Sequence, residues 1–448
     1  MARSKIAYVC SVCGAHSVKW QGQCPDCDAW NALQKTAVAS SRKERSRGRE
    51  PSRLSELVED SAVRYPTGFG EFDRVLGGGL VPGSVVLLGG DPGVGKSTLL
   101  QQVASKLPVE LRTCYATGEE SLRQVAQRAQ RIGTSNADLL LLADTSLENI
   151  LEQAIAANAA VIVIDSIQTL VSEELPSAPG SVAQLRECVG RIVRFAKQKE
   201  VAVFLIGHVT KEGAIAGPRV VEHMVDTVLY FESDPASRYT IVRAVKNRFG
   251  ASNEMGVFAM TEAGFREVVN PSAIFLSAEH AASAGSVVSV VWEGSRPLLV
   301  EIQALVAEGF SNYPKRLAQG VDQSRLALLI AVLQRHGDIA LTNEDIFVNV
   351  VGGLRIGETA ADLPVVLAIV SSFRDRPCRQ RLISFGEIGL AGEVRPVRYG
   401  AERIQEAAKQ GFTHAVVPKA NVPRRAPKGI EIVAVTTLSE ALDVAFDD

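Results

Sequence analysis

Nine consecutive residues, Gly90, Asp91, Pro92, Gly93, Val94, Gly95, Lys96, Ser97 and Thr98, have the types and order of a phosphate-binding turn. The spacing is Gly-x4-Gly-Lys-Ser/Thr. Glycines at 90, 93 and 95 let backbone amides point inward at phosphate oxygens without a Cβ in the way. Lys96 is placed to reach the β- and γ-phosphates, and the Ser97 hydroxyl to hold Mg2+. An apolar strand, Val85–Leu88, precedes the turn and a helix opens after it, so the helix dipole adds to the anion site. This chemistry binds ATP, releases ADP and needs Mg2+.

Such a site needs a second Mg2+ contact from an acid at the end of a buried strand. Val161, Ile162, Val163 and Ile164 run into Asp165, with Ser166 behind it. Hydrolysis also needs a base that orients water. Glu119 and Glu120 follow another apolar strand at the same sheet edge; Glu119 is the favoured base, and capping of the next helix is the bland alternative for the pair. His208 ends a third strand, where it either senses the γ-phosphate or is an ordinary polar strand end. Lys246, Asn247, Arg248, Phe249 and Gly250 put two cations and an aromatic in a turn after a strand. That group suits a neighbouring subunit's γ-phosphate, a DNA backbone or simply a solvated hairpin tip.

A different chemistry is written at the start of the chain. Cys10 and Cys13, then Cys24 and Cys27, form two Cys-x2-Cys pairs, each able to present two thiolates to one tetrahedral ion. An all-Cys Zn2+ site is closed and therefore structural; two redox pairs are the weaker alternative. Gly14, Gly22, Pro25 and Trp20 are the turn-makers and packing residues expected around such knuckles. Cys114, Cys188 and Cys378 are solitary in apolar or helical surroundings and read as buried, inert thiols.

The elements that must position these groups follow from patterning. The 448 residues suggest two or three domains. Residues 1–33 hold too few apolar side chains to fold without a metal staple, and residues 34–60 are a polar, basic linker. Residues 61–270 alternate short apolar strands with amphipathic helices, which predicts a mostly parallel sheet covered on both faces and ending in antiparallel hairpins. Residues 271–448 mix strands and helices as an α+β domain. A net charge of −2 means that nucleic-acid contact must come from a local patch. No apolar run reaches 18 residues and no signal core opens the chain, so a cytoplasmic protein with no membrane span is expected.

In combination these motifs carry a resemblance that covers essentially the whole chain. Two Cys knuckles, the segment Pro66–Asp73, three glycines before Leu80, the phosphate turn, Gly118 to Ser121, Ile164 to Thr169 and Lys246 to Gly250 occur in an order that resembles the bacterial RadA (Sms) family. The resemblance implies a RecA-like ATPase core in a hexameric ring of the DnaB helicase type. It implies recombinational DNA repair through single-stranded DNA and recombination intermediates, with ATP-driven branch migration alongside RecA. It also implies that Lys246 and Arg248 couple nucleotide state to DNA and to neighbouring subunits.

The C-terminal region is similar to the proteolytic domain of Lon proteases. Where Lon carries its nucleophilic Ser, the matching stretch, Gly357 to Val365, has Asp362. The later stretch from Gly389 to Ala401 has no Lys for a base. Peptidase activity is therefore not expected. A scaffold for ring assembly and DNA binding is, with Lys315 and Arg316 as basic contacts.

Overall fold

The computed structural model describes residues 5–10, 16–17, 19–25, 28–38, 63–134, 138–208, 220–233, 239–268, 270–276, 283–309 and 314–446. Cys13, Cys27 and most of the expected linker lie outside the described residues. The chain divides into two compact units, Met1–Val268 and Val269–Asp448.

The first unit opens with a small antiparallel sheet in which β1 (Lys5–Cys10) lies between β2 (His16–Ser17) and β3 (Leu33–Val38). Its body is a nine-stranded sheet. Six strands are parallel, in the spatial order β9 (Thr227–Ser233), β4 (Val85–Gly89), β8 (Ala202–Ile206), β7 (Val161–Asp165), β5 (Thr113–Thr117), β6 (Leu139–Ala143). Beyond β9 the sheet continues antiparallel through β10 (Tyr239–Asn247), β11 (Met255–Thr261) and β12 (Gly264–Glu267). Parallel strands covered on both faces must be apolar on both faces. Accordingly Val86 and Leu88 of β4 join Phe72, Leu99, Leu100 and Phe204 on one side. Val85 and Leu87 join Ile150, Leu185, Val189 and Ile192 on the other.

Helices α1 (Gly70–Leu76), α2 (Lys96–Lys106), α3 (Leu122–Arg131), α4 (Leu147–Ala156) and α5 (Val182–Lys199) complete this layer structure. The expected alternation of strand and helix runs unbroken from β4 to β8. Strand β10 runs one residue past the expected end at Lys246: a bulge between Ala244 and Lys246 carries it on to Asn247, so the basic group begins on the strand and only its remainder lies in the turn.

The second unit is a seven-stranded mixed sheet in the order β15 (Arg316–Gln319), β16 (Glu344–Val350), β14 (Arg296–Glu308), β13 (Ser286–Glu293), β17 (Leu382–Ser384), β20 (His414–Pro418), β21 (Glu431–Val435). Two short strands, β18 (Glu387–Ile388) and β19 (Val394–Arg395), pair separately. Helices α6 (Gln323–His336), α7 (Asp362–Phe373), α8 (Gly400–Lys409) and α9 (Leu438–Phe446) accompany the sheet. Residues 362–371 of α7 are all buried, the mark of a helix enclosed on every side rather than lying on a surface.

Candidate active site

Four helices of the first unit follow parallel strands, and their N-termini differ. Those of α3, α4 and α5 are capped by Ser121, Ser146 and Ser181, whose hydroxyls accept from the amides of Gln124, Asn149 and Gln184. Helix α2 begins after Gly95 with no side-chain cap and no acid in its first turn. Among the described residues no side chain caps its leading amides, which leaves them and the dipole available as an anion site requires. Gly95 has φ 100°, and a Cβ there would lie 2.7 Å from the Phe265 ring, so only glycine fits this corner.

Lys96 is the buried cation of the turn, 3% exposed. Its ammonium donates to the carbonyls of Gly90 and Asp91, each at 2.8 Å. Burial lowers its pKa to about 8, against the opposing pull of Asp165, Asp91 and Glu119. Around it Asp91, Pro92 and Gly93 are exposed, and Val94, Ser97 and Thr98 half-buried.

Sheet order brings the remaining acids to the same edge. The strands β4, β8, β7 and β5 are neighbours, and at their C-terminal ends lie the phosphate turn, His208, Asp165 and Glu119 respectively. Asp165 is buried, and its Oδ2 accepts from the Tyr115 hydroxyl at 2.7 Å. Its other oxygen accepts no hydrogen bond among the described residues and has the chemistry to face a cation. Glu119 is held by the Ser166 hydroxyl, which donates to Oε1 at 2.5 Å, and by His208 Nε2, 3.3 Å from Oε2. Glu120 is engaged elsewhere: Arg128 Nη1 donates to both its oxygens, at 2.8 and 2.6 Å. The two adjacent glutamates thus differ in what they are tied to, and helix capping is left to Ser121 and Gln124.

His208 Nδ1 and Gln168 Oε1 are buried without a partner among the described residues, while Gln168 Nε2 donates to the His208 carbonyl at 3.1 Å. Sequence reasoning passed over Gln168, Tyr115 and Arg128. The available signal was a phenol in the middle of an apolar strand, and an arginine three residues after Val125, the buried apolar residue of α3.

The basic group from Lys246 to Gly250 is not brought to this edge. Strand β10 runs against β9, so Asn247 sits opposite Thr227, which itself pairs with Val86 near the start of β4. One strand length, roughly 15 Å, separates that level from the phosphate turn. Lys246 donates to the carbonyls of Glu222, His223 and Val225 at 2.8–3.2 Å, and burial lowers its pKa, with Arg248 adding to the effect. Asn247 Nδ2 reaches the Val75 carbonyl at 3.0 Å, and the Phe249 carbonyl accepts from Arg64 at 2.9 Å. A Cβ on Gly250 would lie 2.6 Å from the Gly77 Cα, which explains glycine at both positions. Arg248 pairs with Asp226 at 3.3 Å but keeps 54% of its side chain exposed.

At the N-terminus Cys10 and Cys24 are buried in one small cluster with Ala32 and Leu33. Two pre-gathered thiols, one from each Cys-x2-Cys pair, fit a shared Zn2+. Trp20 does not have the packing role expected of it: it is 57% exposed. In the second unit Asp362, the residue at the Lon nucleophile position, is buried and ion-paired. Arg325 Nε donates to Oδ1 at 3.0 Å, Arg325 Nη2 pairs with Oδ2, and the Ile388 amide donates to Oδ2 at 3.1 Å. Burial raises the Asp362 pKa against the pull of Arg325.

Fold and site together define a P-loop ATPase with a RecA-like core, an ATP hydrolase. Family models agree with this division: an AAA domain matches residues 50–214, subunit ChlI of Mg-chelatase residues 320–421, and a rubredoxin metal-binding domain residues 8–35. DNA repair protein RadA of Pseudomonas aeruginosa is 53% identical over 100% of both chains. The proteins of the same name from Escherichia coli and Bacillus subtilis are 53% and 47% identical, each over 99% of both chains. The chain belongs to the RadA family of DNA repair proteins. Among the described residues no helix is long and apolar enough to cross a membrane.

Proposed function

We propose that this chain is a DNA-stimulated ATPase that assembles as a hexameric ring, moves on single-stranded DNA and drives branch migration of recombination intermediates alongside RecA. ATP sits between subunits. Residues 90–98 of one subunit hold its phosphates, Lys96 neutralises charge on the β- and γ-oxygens, and Glu119 takes the proton of the attacking water as the bond between γ-phosphorus and the bridging oxygen breaks and ADP leaves. Ser97 and Asp165 would hold Mg2+, which supplies charge neutralisation at the bridging phosphates. Ser166 and His208 keep the Glu119 carboxylate aimed.

One observation carries the shared-site reading: the exposed guanidinium of Arg248 lies at the sheet edge opposite its own phosphate turn. A cation there serves a neighbouring copy or a DNA strand, and not its own nucleotide. DNA contact is further supported in the second unit, where Trp292 stacks on Tyr399 at 4.1 Å and Arg398, Arg424, Arg425 and Lys428 are exposed. Lys315 is exposed as well. The Asp362–Arg325 pair supports a non-peptidase role for this domain. Cys10, Cys13, Cys24 and Cys27 hold a structural Zn2+.

The test is ATP hydrolysis with and without single-stranded DNA at two salt concentrations, for wild type, Lys96→Ala, Arg248→Ala and an equal mixture of the two variants. Stimulation that fades with salt marks contacts to the phosphate backbone. In the mixture about a quarter of the interfaces carry both Lys96 and Arg248, so activity should return to about that fraction. Hydrolysis indifferent to DNA would overturn the motor reading, and a silent mixture would overturn the shared site.

A further inference from the structure

Behind Asp165 lies a chain of hydrogen bonds whose direction is fixed by chemistry. Arg128 can only donate, so its Nη2 gives a hydrogen to the Tyr115 oxygen at 3.3 Å. The phenol's single proton then goes to Asp165 Oδ2 at 2.7 Å. Arg128 is fixed in turn: Nη1 donates to both oxygens of Glu120 and Nε donates to Gln101 Oε1 at 2.6 Å. Tyr115 is fully buried, and only 10% of the Arg128 side chain is exposed, so water does not substitute freely for either partner.

We infer that Tyr115 and Arg128 are positioning residues for Asp165, orienting one carboxylate oxygen toward the divalent cation and tying that site to helix α3. This deepens the assignment of Asp165 as a Mg2+ contact and rests on it. Neither residue touches nucleotide. Their effect passes through the rotation of the Asp165 carboxylate, as outer partners orient the ligands of metal sites generally. Tyr115→Phe removes one oxygen from the core and leaves both neighbours in place, so the Asp165 carboxylate loses its fixed rotation while the fold keeps its volume.

The experiment is hydrolysis as a function of Mg2+ at fixed ATP, with thermal melts, for wild type, Tyr115→Phe, Arg128→Met, the double variant and Asp165→Asn. Tyr115→Phe should raise the half-saturating Mg2+ about tenfold while kcat at saturating Mg2+ stays within about twofold. Arg128→Met should shift it in the same direction by less, and the double variant should match Tyr115→Phe because the two act in series. A lowered melting temperature with an unchanged Mg2+ curve in both single variants would reduce the pair to a structural role and overturn the inference, as would additive shifts. Asp165→Asn separates the layers. If it keeps normal Mg2+ dependence, the assignment of Asp165 itself fails. If it loses that dependence while the other variants keep theirs, only the relay fails.

Discussion

The N-termini of α2 and α7 each open a largely buried helix, yet they handle charge in opposite ways. At α2 the protein supplies donors and withholds acceptors: no cap, no first-turn acid, and a buried ammonium whose partners are two loop carbonyls. At α7 the helix opens with its own carboxylate, Asp362, which Arg325 and the Ile388 amide satisfy. A site built to bind an anion leaves a charge for the ligand to complete. At Asp362 the charge is already balanced by groups of the protein itself. The two termini thus differ in electrostatic completion rather than in fold.

The largest expected effect tests the incomplete terminus. Lys96→Ala should reduce hydrolysis at least about a thousandfold, since it removes the charge proposed to meet the γ-phosphate. It should not destabilise the fold. The folded-state pKa of Lys96 is lowered from 10.5 to about 8, so below pH 8 its burial is a full cost to the folded state, and that cost disappears as the pH rises through 10.5. The variant should therefore melt at or slightly above wild type at pH 7, and the gap should close toward pH 10.5. Calorimetry on both proteins across that range checks the sign, and a variant that melted well below wild type would break the contrast with α7.

The completed terminus should respond in the opposite sense. Asp362→Ala leaves Arg325 partly buried without its ion-pair partner, with only the more distant Glu387 acting on it, and should cost about 3 kcal/mol. Arg325→Met combined with Asp362→Leu removes both charges and should recover much of that loss. Denaturant unfolding of the two variants, with hydrolysis measured beside it, separates the cases. Hydrolysis lost in proportion to stability in the single variant, but not in the double, keeps Asp362 structural.

How far these two sites are legible in sequence depends on the distance over which they are assembled. The phosphate turn is nine neighbours in a row, and its strand and helix are written by an apolar run before it and an amphipathic one after it. Asp165 is legible for the same reason, as the polar end of four apolar residues. Pairings across long stretches are not: Tyr115 meets Asp165 50 residues on, and Arg325 meets Asp362 37 residues on. In sequence Tyr115 is one more core aromatic. Asp362 at the position matching the Lon nucleophile is visible in sequence, but the arginine that balances it is not. Illegible too is the bulge at Val245, which no period-two pattern shows and which turns Lys246, at the end of its strand, onto three carbonyls. Trp20 is expected to pack around the Cys knuckles, whereas burial depends on what the small sheet can cover.

The subtlest expected effect lies in the pH dependence of nucleotide affinity, and it sharpens the same comparison. Phosphates favour the charged form of Lys96, so ATP binds the protonated protein. With a pKa of about 8 the free protein is almost fully protonated at pH 7 and largely neutral at pH 9. Apparent affinity should fall about tenfold between those values, as the competent fraction falls. Lys96→Arg, which stays charged throughout, should flatten the profile even if it binds more weakly, because a guanidinium does not titrate there. A titration of a fluorescent ATP analogue at four pH values, with melting temperatures to confirm folding, reads this directly. A wild-type profile flat to pH 9 would mean that Lys96 keeps its proton despite burial, so that the loop carbonyls and acids around it outweigh desolvation. The α2 terminus would then be as electrostatically complete as α7 before any ligand arrives.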